Sequence, residues 1–267
     1  MTLAIGIRSD EMQSMESLAR NIKPNKNIVE EKHDLKCEKC GNRYDYYKFS
    51  NEQEFRHGCD CAMIQAGKEA EKKRKQKYIN NIFNQSTVNH SLQDATVNSY
   101  KPQNEQQTHA KNTAIEYVKT FSVDKPKSLI LQGSYGTGKS HLAYAIAKAI
   151  KNEGYSVAFM HIPMLMERIK ATYNKNATET TDELVKLLSN IDLLVLDDVG
   201  VENTEHTLNK LFSIVDNRVG KNNIFTTNFS DKHLNQDMNW QRINSRMKHN
   251  ARTVKVLGDD YRERDAW

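Results

Sequence analysis

Residues 127–141, KSLILQGSYGTGKSH from Lys127 to His141, decide the fold of this chain. A short apolar run, Leu129 to Leu131, leads into Gly133-Ser134-Tyr135-Gly136-Thr137-Gly138-Lys139-Ser140 and then into the helix-prone LAYAIAKAI. The order is strand, glycine loop, helix, with the G-x-x-x-x-G-K-S spacing of a P-loop. Glycines let backbone N–H groups turn inward around phosphate, and the helix N-terminus adds its positive dipole end. Lys139 is placed to reach the outer phosphates as a mobile point charge, and Ser140 to offer its hydroxyl to Mg²⁺. A chance glycine-rich turn would need neither flanking element. The stretch predicts a nucleoside triphosphate site.

A second motif supplies carboxylates. Leu193-Leu194-Val195-Leu196-Asp197-Asp198 is an apolar run ending in two acids. Such a run suits a central parallel strand covered on both faces. Its carboxyl end is where an open α/β sheet places ligands. Asp197 is expected to hold Mg²⁺ through a water, and Asp198 to polarise the attacking water. Many ATPases of this type carry Glu at the second position, and the shorter Asp stem predicts slow hydrolysis. An N-cap for the next helix would account for one Asp but not for two.

Composition sets the remaining bounds. The chain has 267 residues with a formal net charge of +5, a pI near 8.8 and a mean hydropathy of −0.78. That length suits one domain plus an accessory segment. The apolar residues concentrate after Ser128, so that half can build a core. The mild basic excess is compatible with a nucleic-acid partner. The start, MTLAIGIRSD, has too short an apolar run for a signal peptide, and no stretch approaches membrane-spanning length. A cytoplasmic protein is expected.

The four cysteines lie in one window, Cys37-x2-Cys40 and Cys59-x-Cys61. In a reducing compartment such clustering argues for metal over disulfides. Four thiolates would close a tetrahedral structural Zn²⁺ site, and Gly41 suits the tight turn after the first pair. The second pair is one residue shorter than usual, so His57 or His33 could replace one thiol. A small segment with so little apolar content needs such a metal to hold a fold.

Between these regions lies QAGKEAEKKRKQK, Gln65 to Lys77, a basic helix that is either a solvated face or a partner contact. Asn84 to Gln107 is polar and reads as linker, with a short docking element at Leu92 to Tyr100. The expected organisation is 1–84 metal-binding segment, 85–110 linker and 111–267 nucleotide domain. After the P-loop helix, strands are expected at Val157 to His161, up to Asp197, at Asn223 to Thr227 and at Thr253 to Leu257. Helices are expected from Pro163 to Tyr173, Asp182 to Ser189, Thr204 to Val219 and Gln241 to Lys248. The alternation specifies an α/β parallel sheet with helices on both faces.

GSYGTGKS, LLVLDD, the strand-end polar residue of IFTTN, and RINSRM follow one another in this order, and with them the chain resembles the AAA+ ATPases. Within that class it resembles the DnaC/DnaI family of bacterial and phage replicative-helicase loaders over roughly Leu92 to Trp267. The cysteine segment is also similar to that of DnaI. The resemblance implies a P-loop AAA+ sheet without a C-terminal helical lid, plus a small N-terminal zinc-binding segment. It implies ATP held along Gly133 to His141. It gives Asn228 the role of sensor I beside the attacking water, and Arg246 that of an arginine finger reaching a neighbouring subunit's nucleotide. A guanidinium there stabilises transition-state charge. Arg264, in DYRER, resembles the terminal arginine called sensor II. A surface ion pair is the competing reading of Arg246.

The resemblance further implies an ATP-dependent loader that holds a hexameric DNA helicase and helps place it on single-stranded DNA, in an ATP-dependent homo-oligomer. The helix from Pro163 to Tyr173 sits where loaders carry a segment that touches DNA. Arg168 and Lys170 supply cations for phosphate and Tyr173 a ring for base stacking, although Tyr173 could equally cap a core helix. Two rivals stay open: a transposition helper of the IstB type, disfavoured by the cysteine cluster, and an adaptor that binds ATP with little turnover.

Overall fold

The computed structural model describes residues 27–85, 90–174, 177, 179–200, 205–235 and 237–261. The chain divides between Lys73 and Arg74 into two compact units.

The first unit is a small antiparallel sheet in the order β1-β2-β3. Its strands are β1 (Ile28–Lys36), β2 (Arg43–Phe49) and β3 (Glu54–His57). In register, Lys32 faces Tyr46, and Tyr46 faces Arg56. Alternation therefore puts Tyr44, Tyr46 and Lys48 on one face of β2 and Tyr47 and Phe49 on the other. The turn from β1 to β2 is closed by Gly41 N–H donating to the Cys37 carbonyl at 2.8 Å, with Gly41 at φ +76°. Helix α1 (Cys61–Gln85) begins in this unit and ends in the next.

The second unit is built on a parallel sheet of five strands in the order β5-β6-β7-β4-β8. These are β4 (Ser128–Gln132), β5 (Val157–His161), β6 (Leu193–Asp197), β7 (Asn222–Thr227) and β8 (Ala251–Lys255). The apolar runs of the inner strands are needed because both faces are covered. Leu129, Leu131, Val195 and Ile224 pack to one side with Leu142 and Ile146, while Ile130, Leu194, Leu196 and Phe225 pack to the other with Leu165, Leu188 and Leu211.

The covering helices are α2 (His90–Gln93), α3 (Glu105–Lys119), α4 (Lys139–Asn152), α5 (Ile162–Ala171), α6 (Thr181–Asn190), α7 (Glu205–Asp216), α8 (Asp231–Leu234) and α9 (Met238–Met247). Helix α6 starts with a capping box in which Thr180 and Glu183 satisfy each other's backbone N–H groups. Helix α5 ends at Ala171, so Tyr173 falls in the turn beyond it rather than in the helix.

The polar stretch expected as linker contains more structure than its composition suggests. Ala95 and Tyr100 are buried in the core of the second unit, and Asn104 caps α3 by accepting from Gln107 N–H. Thr96 and Ser99 bond each other's backbone in a tight turn, so a few apolar residues suffice to dock the segment. No helix among the described residues is long and apolar enough to cross a membrane.

Candidate nucleotide site

The P-loop joins β4 to α4 at the carboxyl edge of the sheet. Gly136 and Gly138 take left-handed backbone, at φ +66° and +85°, which a side chain would oppose. Gly133 is required for a different reason: a Cβ there would lie 2.0 Å from the Val256 carbonyl oxygen. The loop is held from both sides. Tyr261 N–H donates to the Gly136 carbonyl at 3.0 Å, and the Tyr100 hydroxyl donates to the Thr137 carbonyl at 2.9 Å. Inside the arch, Lys139 Nζ and Thr137 Oγ1 both donate to the Ser134 carbonyl, at 2.6 and 2.9 Å. A cavity of about 920 Å³ opens above it, lined by the loop from Tyr135 to His141, by Tyr100 and Gln107, and by Asp197, Asp198, His161 and Asn228. That size suits a nucleotide.

The acidic wall is ordered by hydrogen bonds. Asp197, the last residue of β6, is buried and accepts from Thr226 Oγ1 at 2.6 Å. Burial pushes its carboxyl above the usual range, and the Thr226 hydroxyl and Ser140 oppose that shift. Asp198 has φ +58°, and its N–H donates to the same Thr226 oxygen at 2.9 Å. Its carboxylate meets His161 Nε2 at 3.0 Å, and this bond holds it below the usual carboxylate range while raising His161. Asn228 Nδ2 lies 3.5 Å from Asp198 Oδ1, at the outer limit of a hydrogen bond. Asn228 Oδ1 is buried with no hydrogen-bond partner among the described residues. An acceptor left so needs an O–H or N–H donor to satisfy it. The glycine cradle, lysine, buried acid and orphaned acceptor together fit a nucleotide with a divalent cation and an adjacent water.

Other expected site residues lie elsewhere. Gly133 and Ser134 shape the loop without lining the cavity, whereas His141 does line it while its ring meets the Thr96 carbonyl, 3.0 Å away. Arg246 pairs with Asp216 at 2.5 Å on a half-exposed surface of α9 and does not line the cavity. Arg168 is drawn inward: its guanidinium lies 5.4 Å from the Tyr78 ring centre, donates to the Tyr78 hydroxyl at 2.6 Å and pairs with Glu179 at 3.4 Å. Lys170 and Tyr173 are exposed. Arg264 lies outside the described residues.

In the first unit Cys37, Cys40, Cys59 and Cys61 bring their sulfurs within 4.8 Å of one another, and neither His33 nor His57 joins them. Cys40 and Cys59 Sγ are 3.7 Å apart, too far for a disulfide. Four sulfurs each about 2.3 Å from one tetrahedral Zn²⁺ would sit roughly 3.8 Å apart, so the donor set fits zinc. Backbone N–H groups of Cys40 and Lys39 lower the Cys37 thiol to about 6, whereas hydrogen bonding to Cys40 and Cys59 raises Cys61 to about 12. Four thiols so close cannot all ionise without a cation among them.

The parallel sheet, the P-loop at its carboxyl edge and the paired acids opposite it define a nucleotide-binding domain of the AAA+ class. Residues 59–266 match the family of IstB-like ATP binding proteins. The chain belongs to that family. It is 33% identical over 150 residues to the replicative helicase loader DnaC of Escherichia coli (strain K12), covering 55% of this chain and 60% of that protein. The match thus spans less than two thirds of that relative's length. The crystal structure of a DnaC helicase loader superposes with a TM-score of 0.57 at 26% identity, covering 63% of this chain and 99% of that one. The crystal structure of DnaI shares the fold with a TM-score of 0.55 at 22% identity, over 65% of this chain and 93% of that one.

Three residues of the site were not legible in the sequence: Tyr100, His161 and Thr226. His161 ends β5, where a strand-end polar residue was an available signal, whereas Thr226 is the penultimate residue of β7. Tyr100 sits far from the motif in a polar segment and gave no such signal.

Proposed function

We propose that this chain is an ATP-dependent loader that binds a replicative DNA helicase and helps deposit it on single-stranded DNA in the cytoplasm. The observation that carries the reading is the 33% identity to a DnaC helicase loader over 150 residues, 55% of this chain. Lys139 grips the outer phosphates, and Ser140 with Asp197 holds Mg²⁺. When bound, that cation neutralises charge on the phosphate oxygens. A water donates one hydrogen to Asn228 Oδ1 and gives its other proton to Asp198 as its oxygen bonds to the γ-phosphorus. The bond to the bridging oxygen breaks and its electron pair leaves with ADP.

Arg246 of a neighbouring copy approaches the γ-phosphate once the Asp216 pair opens. Hydrolysis is slow, and ATP acts chiefly as a switch. The zinc-stapled unit carries the helicase contact, while Lys170 and Tyr173 meet DNA. Arg168 is committed to Tyr78 and Glu179 and supports the helix instead.

The test is co-purification with the replicative helicase of the same source, followed by helicase transfer to single-stranded circles. The loader reading requires capture of the helicase, and ATP-dependent transfer that is lost in Lys139→Ala. ATP binding without helicase capture refutes it.

A further inference from the structure

The small antiparallel sheet has two unlike faces. Register and alternation place Ile28, Tyr47, Phe49 and Phe55 on one of them, together with Glu31 and Asp45. The other carries Tyr44 and Tyr46 with Lys32, Lys48 and Arg56. Apart from Leu35 opposite Tyr44, the apolar side chains paired in register collect on the first face, and the second keeps two tyrosines among cations. We infer that this second face binds single-stranded nucleic acid, with Tyr44 and Tyr46 stacking bases and Lys32, Lys48 and Arg56 meeting phosphates. The inference stands on the sheet alone and does not depend on the loader reading.

Geometry carries it. Strand β2 is central, and its two tyrosines lie two residues apart, so they repeat at about 6.8 Å along one face. Tyr46 has a cation on either side, Lys32 across from it on β1 and Arg56 on β3. The Lys32 ammonium lies 5.9 Å from the Tyr46 ring centre, and the Arg56 guanidinium 5.2 Å from that of Tyr44. Both tyrosines stay partly exposed, and Lys32 and Arg56 are exposed. Two carboxylates share the face. Glu30 is taken up by Lys32 at 2.7 Å, and Glu54 stands opposite Lys48. Lys48 and Arg56 form no ion pair among the described residues, so positive charge is left for a phosphate chain. Rings for bases beside cations for the backbone are what a single strand needs, and every base has a π-face. The same pairs would staple the strands, but a staple needs no exposed ring. An acidic peptide answers only the charges.

The experiment uses the full zinc-saturated chain, a fluorescent dT oligomer and an abasic strand of equal length. Lys170→Ala with Tyr173→Ala is the background, so that the other proposed DNA surface is silent. Tyr44→Ala and Tyr46→Ala should each weaken dT binding by roughly 5- to 150-fold, the range for one lost base stack. Phe at either position keeps the ring and should restore most of the affinity. The abasic strand should not distinguish these variants from the background chain. Lys48→Ala with Arg56→Ala should reduce the slope of log affinity against log salt by about 1.4, the value for two phosphates on a single strand.

Unchanged dT affinity in the Tyr44→Ala/Tyr46→Ala pair overturns the inference. An equal loss on the abasic strand also overturns it, because the rings would then serve only the fold. Displacement of the dT strand by polyglutamate as effectively as by unlabelled dT would mean that the face reads charge alone, and refutes base stacking. Should the Ala variants release zinc, the Lys48→Ala/Arg56→Ala pair decides, and an unchanged salt slope counts against the inference.

Discussion

Removing one oxygen from Tyr100 tests how the phosphate loop is held. Its hydroxyl donates to the Thr137 carbonyl at 2.9 Å, and both residues are buried. Burial pushes the phenol up to about 12, so it keeps its proton at any working pH. Tyr100→Phe leaves the ring, which lies where a Cβ on Gly138 would come within 2.5 Å, so packing against the loop persists. What remains is a buried carbonyl without its donor, a loss of about 1–2 kcal/mol. Every 1.4 kcal/mol is about a factor of ten in an equilibrium constant. Thr137 precedes Gly138 and Lys139 in the cradle, so part of the loss should appear as weaker nucleotide binding. We expect urea unfolding to show a stability loss of about 1–2 kcal/mol. Titration with a fluorescent ATP analogue should show a dissociation constant raised by roughly 3- to 10-fold. Unchanged values in both measurements would refute the idea that this bond holds the loop.

Other expectations follow from the same contacts. Arg218 is fully buried and donates to the carbonyls of Leu188 and Ile191, to Asn223 Oδ1 and to the Asn222 carbonyl. Arg218→Met strands those acceptors while relieving a buried charge, so urea unfolding should show a loss of about 2–4 kcal/mol, and a loss under about 0.5 would disprove the staple. A strong chelator should release one zinc per chain and open residues 28–60 to protease while ATP binding persists; protection that survives metal loss would separate the cysteines from the fold. Tyr173→Ala should weaken single-strand binding by about 1–3 kcal/mol, and Lys170→Ala should flatten its salt dependence, with equal affinity in both removing this end of α5 from the DNA surface. Mixing Arg246→Ala with Lys139→Ala should restore some hydrolysis if the arginine acts across subunits, and no recovery with normal association would leave it to the Asp216 pair.

The sequence by itself determined the class of fold and the centre of the site. Glycine spacing, an apolar run ending in two acids and clustered cysteines are local patterns, each imposed by chemistry acting within a few residues. Gly136, Gly138 and the apolar run from Leu129 to Leu131 were legible for that reason. What only the tertiary structure decided depends on residues far apart in the chain. Tyr100 reaches the loop from 37 positions away, as His161 reaches Asp198. Gly133 owes its identity to the Val256 carbonyl, and Arg168 turns inward because Tyr78 and Glu179 meet it there. A polar segment such as residues 92–107 buries only a few side chains, so its sequence marked a docking element at Leu92 to Tyr100 without naming the contacts it makes. Contacts of that kind leave no periodicity behind, because they are made by single side chains whose neighbours appear only once the sheet has assembled.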